Sequence, residues 1–203
     1  MARLSFMTAP DVLSWDYNTA QWVIAIIVGI CLAKIYACVA HHMKSMNKTE
    51  YYLPYMVMVL ELFVMLVFMW FSSPYGYHII TGSKLGFICR TLTDSLVVIV
   101  ALVSLPDDNI LEEERIDMKK IYFSSKTLRP IIIGIWYLGQ ISIAVLFDPL
   151  ANSLGKIILV IIVAFSIILI GLFTVLLIRV NNKYVLSAIH LIHAAGILLL
   201  RTN

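Results

Sequence analysis

The sequence predicts an all-α, polytopic membrane helix bundle of about six transmembrane helices, and three observations carry that prediction. Of 203 residues, 61% are hydrophobic and only 13% charged, against roughly 45–50% and about 25% in a soluble domain. Six apolar segments approach the ~20 residues that cross a hydrocarbon layer. The charges gather in the short connections between them. So much apolar surface on a soluble monomer would leave large exposed patches. A disordered or nucleic-acid-binding chain is excluded as well, since both are built from many charges.

In order, the expected spans are 22–40, 51–73, 85–105, 131–149, 156–179 and 184–200, read as one bundle domain over residues 1–203. The first carries Ala25, Gly29, Ala33 and Ala37 at every fourth position, a small-residue ridge suited to close helix packing within the chain or between copies. The second is rich in methionine, read as adaptable filler. The third bears a polar stripe of Arg90, Thr91, Asp94 and Ser95. The fifth is free of internal charge, and the sixth holds His190 and His193 near its middle. Residues 74–84 read as an aromatic loop, 150–155 and 180–183 as tight turns, and 106–130 as the single long connection. Cys31, Cys38 and Cys89 lie inside apolar segments, as free thiols do. The opening residues hold Asp11 and Asp16 and no hydrophobic core region, unlike a signal peptide.

Lys and Arg counts set the expected orientation. One side holds Arg3, Lys84, Lys156 and Arg201. The other holds Lys44, Lys48, Arg115, Lys119, Lys120, Lys126, Arg129, Arg179 and Lys183. The second side is expected in the cytoplasm, with both termini outside.

Ionisable groups inside hydrocarbon cost at least about 2.5–3.5 kcal/mol at a helix centre, so those in the spans mark candidate sites. They are Lys34, Glu61, Arg90, Asp94, Gln140, His190 and His193. A rise of 1.5 Å per residue puts Glu61, Asp94, Gln140, His190 and His193 within roughly 3 Å of the midplane. Arg90 and Asp94 are four apart, share a helix face and can pair. Glu61 has no cation on its own face. It must meet Lys34, Arg90 or a histidine on another helix, or stay protonated. His190 and His193 share a face and can relay protons or simply hydrogen-bond.

In the long connection, Asn109 and Glu112 resemble a capping box, and acids precede Lys119 and Lys120. This predicts a surface helix over about 110–122. Ile110, Leu111, Glu113, Glu114, Met118, Lys119 and Lys120 become candidates for docking a cytoplasmic protein or a neighbouring subunit, beside the plainer reading of a solvated connector.

Sequence patterns for hydrolases, nucleotide sites, zinc sites, voltage sensors and potassium filters do not occur. An enzymatic role is therefore disfavoured, and no cofactor or metal is expected. The primary functional expectation is a homo-oligomeric ion or proton channel or transporter working through the Glu, Asp and His layer. The second is a membrane anchor, sensor or assembly subunit that docks a partner through 106–130. The expected partners are the lipid bilayer, further copies of the chain and a cytoplasmic protein, with no direct contact to nucleic acid.

Overall fold

The computed structural model describes residues 12–79, 83–106, 115–147 and 156–199. Among these the chain is all-α, with seven helices: α1 Val12–Lys44, α2 Leu53–Ile79, α3 Lys84–Ser104, α4 Met118–Ser124, α5 Leu128–Phe147, α6 Lys156–Arg179 and α7 Lys183–Leu199. Four apolar stretches are long enough to cross a membrane: Gln21–Lys44, Leu53–Phe71, Leu85–Ser104 and Leu128–Phe147. The apolar part of α6 described in full and α7 are shorter, Val163–Arg179 and Lys183–Leu198.

Local chemistry explains the helix starts. Pro54 and Pro130 stand in the first turns of α2 and α5, where a missing N–H costs nothing. The Ser83 hydroxyl accepts from the Gly86 N–H at 3.0 Å. Asp117 caps α4 by accepting from Lys119 and Lys120 N–H. Asn182 accepts from Tyr184 N–H at 3.0 Å ahead of α7. Two expected boundaries move: α1 begins at Val12, well ahead of residue 22, and α2 continues to Ile79 through part of the expected aromatic loop. Pro74 deletes one hydrogen bond from the ladder without ending it.

The helices contact one another in a ring, α1–α2–α7–α6–α5–α3 and back to α1, with the α6–α7 seam the sparsest. Facing inward are Ile24, Cys31, Met58, Leu62, Met65, Val100, Ile133 and Leu177, each nearly inaccessible. Facing outward are large apolar side chains, among them Trp22, Ile26, Leu92, Leu146, Phe165, Ile168 and Ile192. A helix such as α6, apolar on nearly every side and exposed on most, is stable where its surroundings are apolar too. The small-residue ridge of α1 does not pack inside the chain. Gly29, Ala33 and Ala37 are exposed, and a Cβ on Gly29 would meet nothing within 4 Å.

Where α5 meets α3, the backbones come close. A Cβ on Gly139 would lie 2.6 Å from Thr93 Cγ2, and Thr93 is fixed by its hydroxyl bond to the Cys89 carbonyl at 2.8 Å. Glycine is what permits the approach.

Three connections meet at one end of the ring. Residues Thr49–Glu50 (β1) pair in parallel with Ile116–Asp117 (β2), and exposed Arg115 bonds Glu50 beside them. Lys126 Nζ bonds the Val180 carbonyl at 2.7 Å and Asn181 Oδ1 at 2.6 Å. This pairing corrects the expected surface helix. Residues 116–117 are extended, and the described helix starts only at Met118. The expected capping box at Asn109 and Glu112, and the turn at 150–155, lie outside the described residues.

Candidate functional site

Two sets of buried polar groups form from the expected midplane layer. Asp94, fully buried on α3, accepts from Arg90 Nε at 3.0 Å one turn away. Its other oxygen accepts from Gln140 Nε2 of α5 at 2.8 Å. This set joins two neighbouring helices, and the acid, cation and amide satisfy one another locally.

The second set reaches across four helices. Glu61 of α2 is 1% exposed and His190 of α7 is wholly buried. The Nδ1 of His190 bonds Glu61 Oε2, and the Nδ1 of His193 bonds Oε1. Both residues lie one helical turn apart on α7, so one carboxylate bridges both rings. The outer nitrogens are also engaged: His190 Nε2 meets the Tyr122 hydroxyl of α4 at 3.0 Å, and His193 Nε2 meets the Tyr137 hydroxyl of α5 at 2.6 Å. The result is an unbroken chain, Tyr122–His190–Glu61–His193–Tyr137.

Aromatic contacts hold its ends. The His190 and Tyr122 rings meet edge to face at 5.9 Å. His193 lies between Tyr137, at 5.6 Å, and Phe173 of α6, at 4.5 Å. Behind Tyr122 stands Arg129, also wholly buried, its guanidinium carbon 4.7 Å from the ring centre. One Arg129 nitrogen bonds Met58 Sδ and lies 3.4 Å from Ser125 Oγ. Its Nε and Nη2 find no hydrogen-bond partner among the described residues.

An ionised carboxylate only accepts hydrogen bonds, so with Glu61 charged both imidazole Nδ1 atoms carry hydrogen. A neutral ring then accepts at Nε2 from its tyrosine, and a protonated ring donates to the tyrosine oxygen. The ring nitrogens are aimed at separate carboxylate oxygens rather than at a shared point. Among the described residues no three His, Cys, Asp or Glu side chains converge as metal ligands.

Outside the spans, burial holds the Lys126 amine below the usual lysine range, and the Arg129 charge adds to the effect. Burial pushes the Tyr122 hydroxyl above the usual tyrosine range, against the pull of Arg129.

The sequence candidates divide plainly. Glu61, His190 and His193 come together, as do Arg90, Asp94 and Gln140. Lys34, half-buried on α1 one turn from buried Cys38, takes no part in the hydrogen bonds just described. Of the docking candidates, Ile110, Leu111, Glu113 and Glu114 lie outside the described residues. Met118 is 2% exposed and packs into the chain's own core with Ile116, Ile121 and Tyr122. Its apolar side chain is used to seat α4 on the bundle and is not available to a partner. Lys119 and Lys120 are exposed. Arg129 was expected to be a cytoplasmic charge that sets orientation, and instead it is buried.

Sequence reasoning missed Tyr122, Tyr137 and Arg129 as members of the site. The only available signal was chemical: a tyrosine inside an apolar helix brings a hydroxyl that needs a partner. Compared with known proteins, the chain matches no family model, no curated protein and no solved structure.

Proposed function

We propose that this chain is a multi-pass membrane protein of about six spans that moves protons, with the Tyr122–His190–Glu61–His193–Tyr137 chain as the proton-carrying element. The observation that carries the reading is that every link in this buried chain can both receive and release a proton. Imidazole does so by exchanging tautomers, and the carboxylate by exchanging which oxygen bears hydrogen. A net charge of −1 held out of water costs several kcal/mol, so the set works with one additional proton shared among Glu61 and the two histidines. Shifting that proton between His190 and His193 changes which tyrosine donates and which accepts.

The bonding of Glu61 favours a proton over a hydrated cation as the transported species. Both carboxylate oxygens are already held by rings, and Glu61 is 1% exposed, which leaves little room for a hydrated ion beside it. The meeting of three connections at one end of the ring supports an even number of crossings, and the Lys and Arg count supports that end as cytoplasmic. Assembly into a homo-oligomer belongs to the same proposal; the exposed ridge of α1 supports it.

The alternative of an anchor that recruits a cytoplasmic partner through 106–130 keeps only Lys119 and Lys120 as exposed candidates among the described residues. Purified protein in vesicles loaded with a pH-sensitive dye tests the proton reading. After an external acid step, the intact protein should acidify the lumen, and Glu61→Gln should slow this at least about tenfold, within the range of losing a positioned proton-transfer group. No flux from the intact protein, or full flux from Glu61→Gln, overturns it.

A further inference from the structure

The sparse α6–α7 seam leaves a cleft of about 530 Å³ between α5, α6 and α7, within the roughly 300–1,000 Å³ of small-molecule sites. Its walls are almost wholly apolar, and exposed Leu169, Leu172 and Ile192 line its open side. The polar groups on its wall are Tyr137 and His193, the outer end of the proton chain. While His193 is neutral, Tyr137 donates to its Nε2 and offers a ligand only lone pairs; with the shared proton on His193, Tyr137 accepts from Nε2–H and has its own hydrogen to offer. The matching head group is thus one that both donates and accepts, as a hydroxyl does.

A carboxylate head is disfavoured twice over. It has no hydrogen to offer, and the Glu61 charge stands directly behind His193. The apolar wall from Ile189 to Ile197 extends about 12 Å along α7 at the usual helical rise, which suits a linear hydrocarbon tail.

We infer that this cleft binds a long-chain amphiphile with a small, uncharged hydroxyl head, placed on the Tyr137 oxygen with its tail between α6 and α7. The inference rests on the proton-chain reading only for the two states of the Tyr137–His193 hydrogen bond. It names what the outer end of that chain faces: a membrane-dissolved alcohol entering from the side.

The structure supplies a blocking position. Gly196 lines the cleft, and a Cβ there would meet nothing within 4 Å. Gly196→Phe therefore starts into open space and is the substitution expected to fill the cleft. Intact protein in lipid nanodiscs is labelled with a photoreactive diazirine analogue of dodecanol, and the labelled residues are mapped by mass spectrometry. Label is expected on Ile170, Phe173 and Ile192, removed by Gly196→Phe. Dodecanol should compete about tenfold better than dodecane or dodecanoate, the worth of one good hydrogen bond, and Tyr137→Phe should erase that preference.

Label spread evenly over all outward helix faces and unchanged by Gly196→Phe would mean bulk lipid only, and would overturn the site. Equal competition by dodecane, or stronger competition by dodecanoate, would overturn the hydroxyl head group. A protein that labels as expected yet passes no protons retains this site and loses the proton reading. One that passes protons but labels indiscriminately does the reverse.

Discussion

Replacing Glu61 by leucine tests whether the four-helix chain holds as one unit. The substitution roughly preserves volume in a site that is 1% exposed, so packing changes little. What changes is that the Nδ1–H groups of His190 and His193 both lose their acceptor. A stranded buried donor costs about 1–3 kcal/mol, and removal of one partner from a buried charged pair costs about 3–5 kcal/mol. His193 retains 13% side-chain exposure and can turn toward the α6–α7 cleft, which places Glu61→Leu near the lower end, about 3 kcal/mol. Glu61→Gln keeps one acceptor oxygen and should lose less. The triple variant Glu61→Leu, His190→Leu, His193→Leu removes the stranded donors together and should recover much of the loss, because an all-apolar replacement of a buried polar set is often neutral. Reversible unfolding in mixed micelles, followed by helical circular dichroism against added sodium dodecyl sulfate, gives the three free energies. The reasoning fails if Glu61→Leu stays within about 0.5 kcal/mol of the native protein, the range of an ordinary surface change, or if the triple variant recovers none of the Glu61→Leu loss.

Further outcomes are expected from the same assay. Gly139→Ala should destabilise by about 1–3 kcal/mol through overpacking against Thr93, while Gly171→Ala, which meets nothing within 4 Å, should be neutral or stabilising. Adding Thr93→Ala should restore Gly139→Ala; if it does not, the clash is not the cause. Arg129→Met should be neutral or stabilising by up to about 4 kcal/mol, because it removes a buried guanidinium with two nitrogens that have no partner among the described residues; a large loss would show that the contacts to Tyr122 and Met58 outweigh that penalty. Lys126 has a folded-state pKa below its unfolded value of 10.5. Its burial therefore penalises folding below the folded pKa, and the penalty lifts as pH rises from there toward 10.5. The stability difference between native protein and Lys126→Gln should change in that direction over this window, and a flat difference would contradict it.

Much of the architecture was legible because apolar length and turn chemistry are local properties. Apart from the earlier start of α1 and the later end of α2, the helices begin and end near the expected boundaries of the six segments. The self-pairing of Arg90 and Asp94 follows from a spacing of four on one helix, which the sequence displays directly. The need of Glu61 for a partner on another helix was legible as well, from the absence of a cation on its own face. Its choice of two histidines over Lys34 or Arg90 was not, since spatial neighbours in a ring depend on how α2 and α7 come to pack side by side. Arg129 and Met118 were misplaced for a related reason. Charge and position within a connecting loop suggest a solvated surface, but beside the β1–β2 pairing Ile116, Met118, Ile121 and Tyr122 turn inward and seat α4 against α2. Tyr122 enters the site by that route, and no periodicity in 106–130 encodes it.

The two polar sets differ in what each demands of the fold, and this is the reason for assigning function to one of them. Asp94 needs only its own helix and one neighbour, and its two partners, Arg90 and Gln140, engage both of its oxygens. Such a set serves as interhelical glue. The Glu61 set asks for groups from α2, α4, α5 and α7, places two titratable rings on a single carboxylate, and ends with one tyrosine beside the buried Arg129 guanidinium and the other on a cleft open to the side. Glue between α2 and α7 would require one histidine. A second ring on the same carboxylate also ties α7 to Tyr137 of α5, and in the proposed reading it gives the shared proton the second resting place that transfer requires.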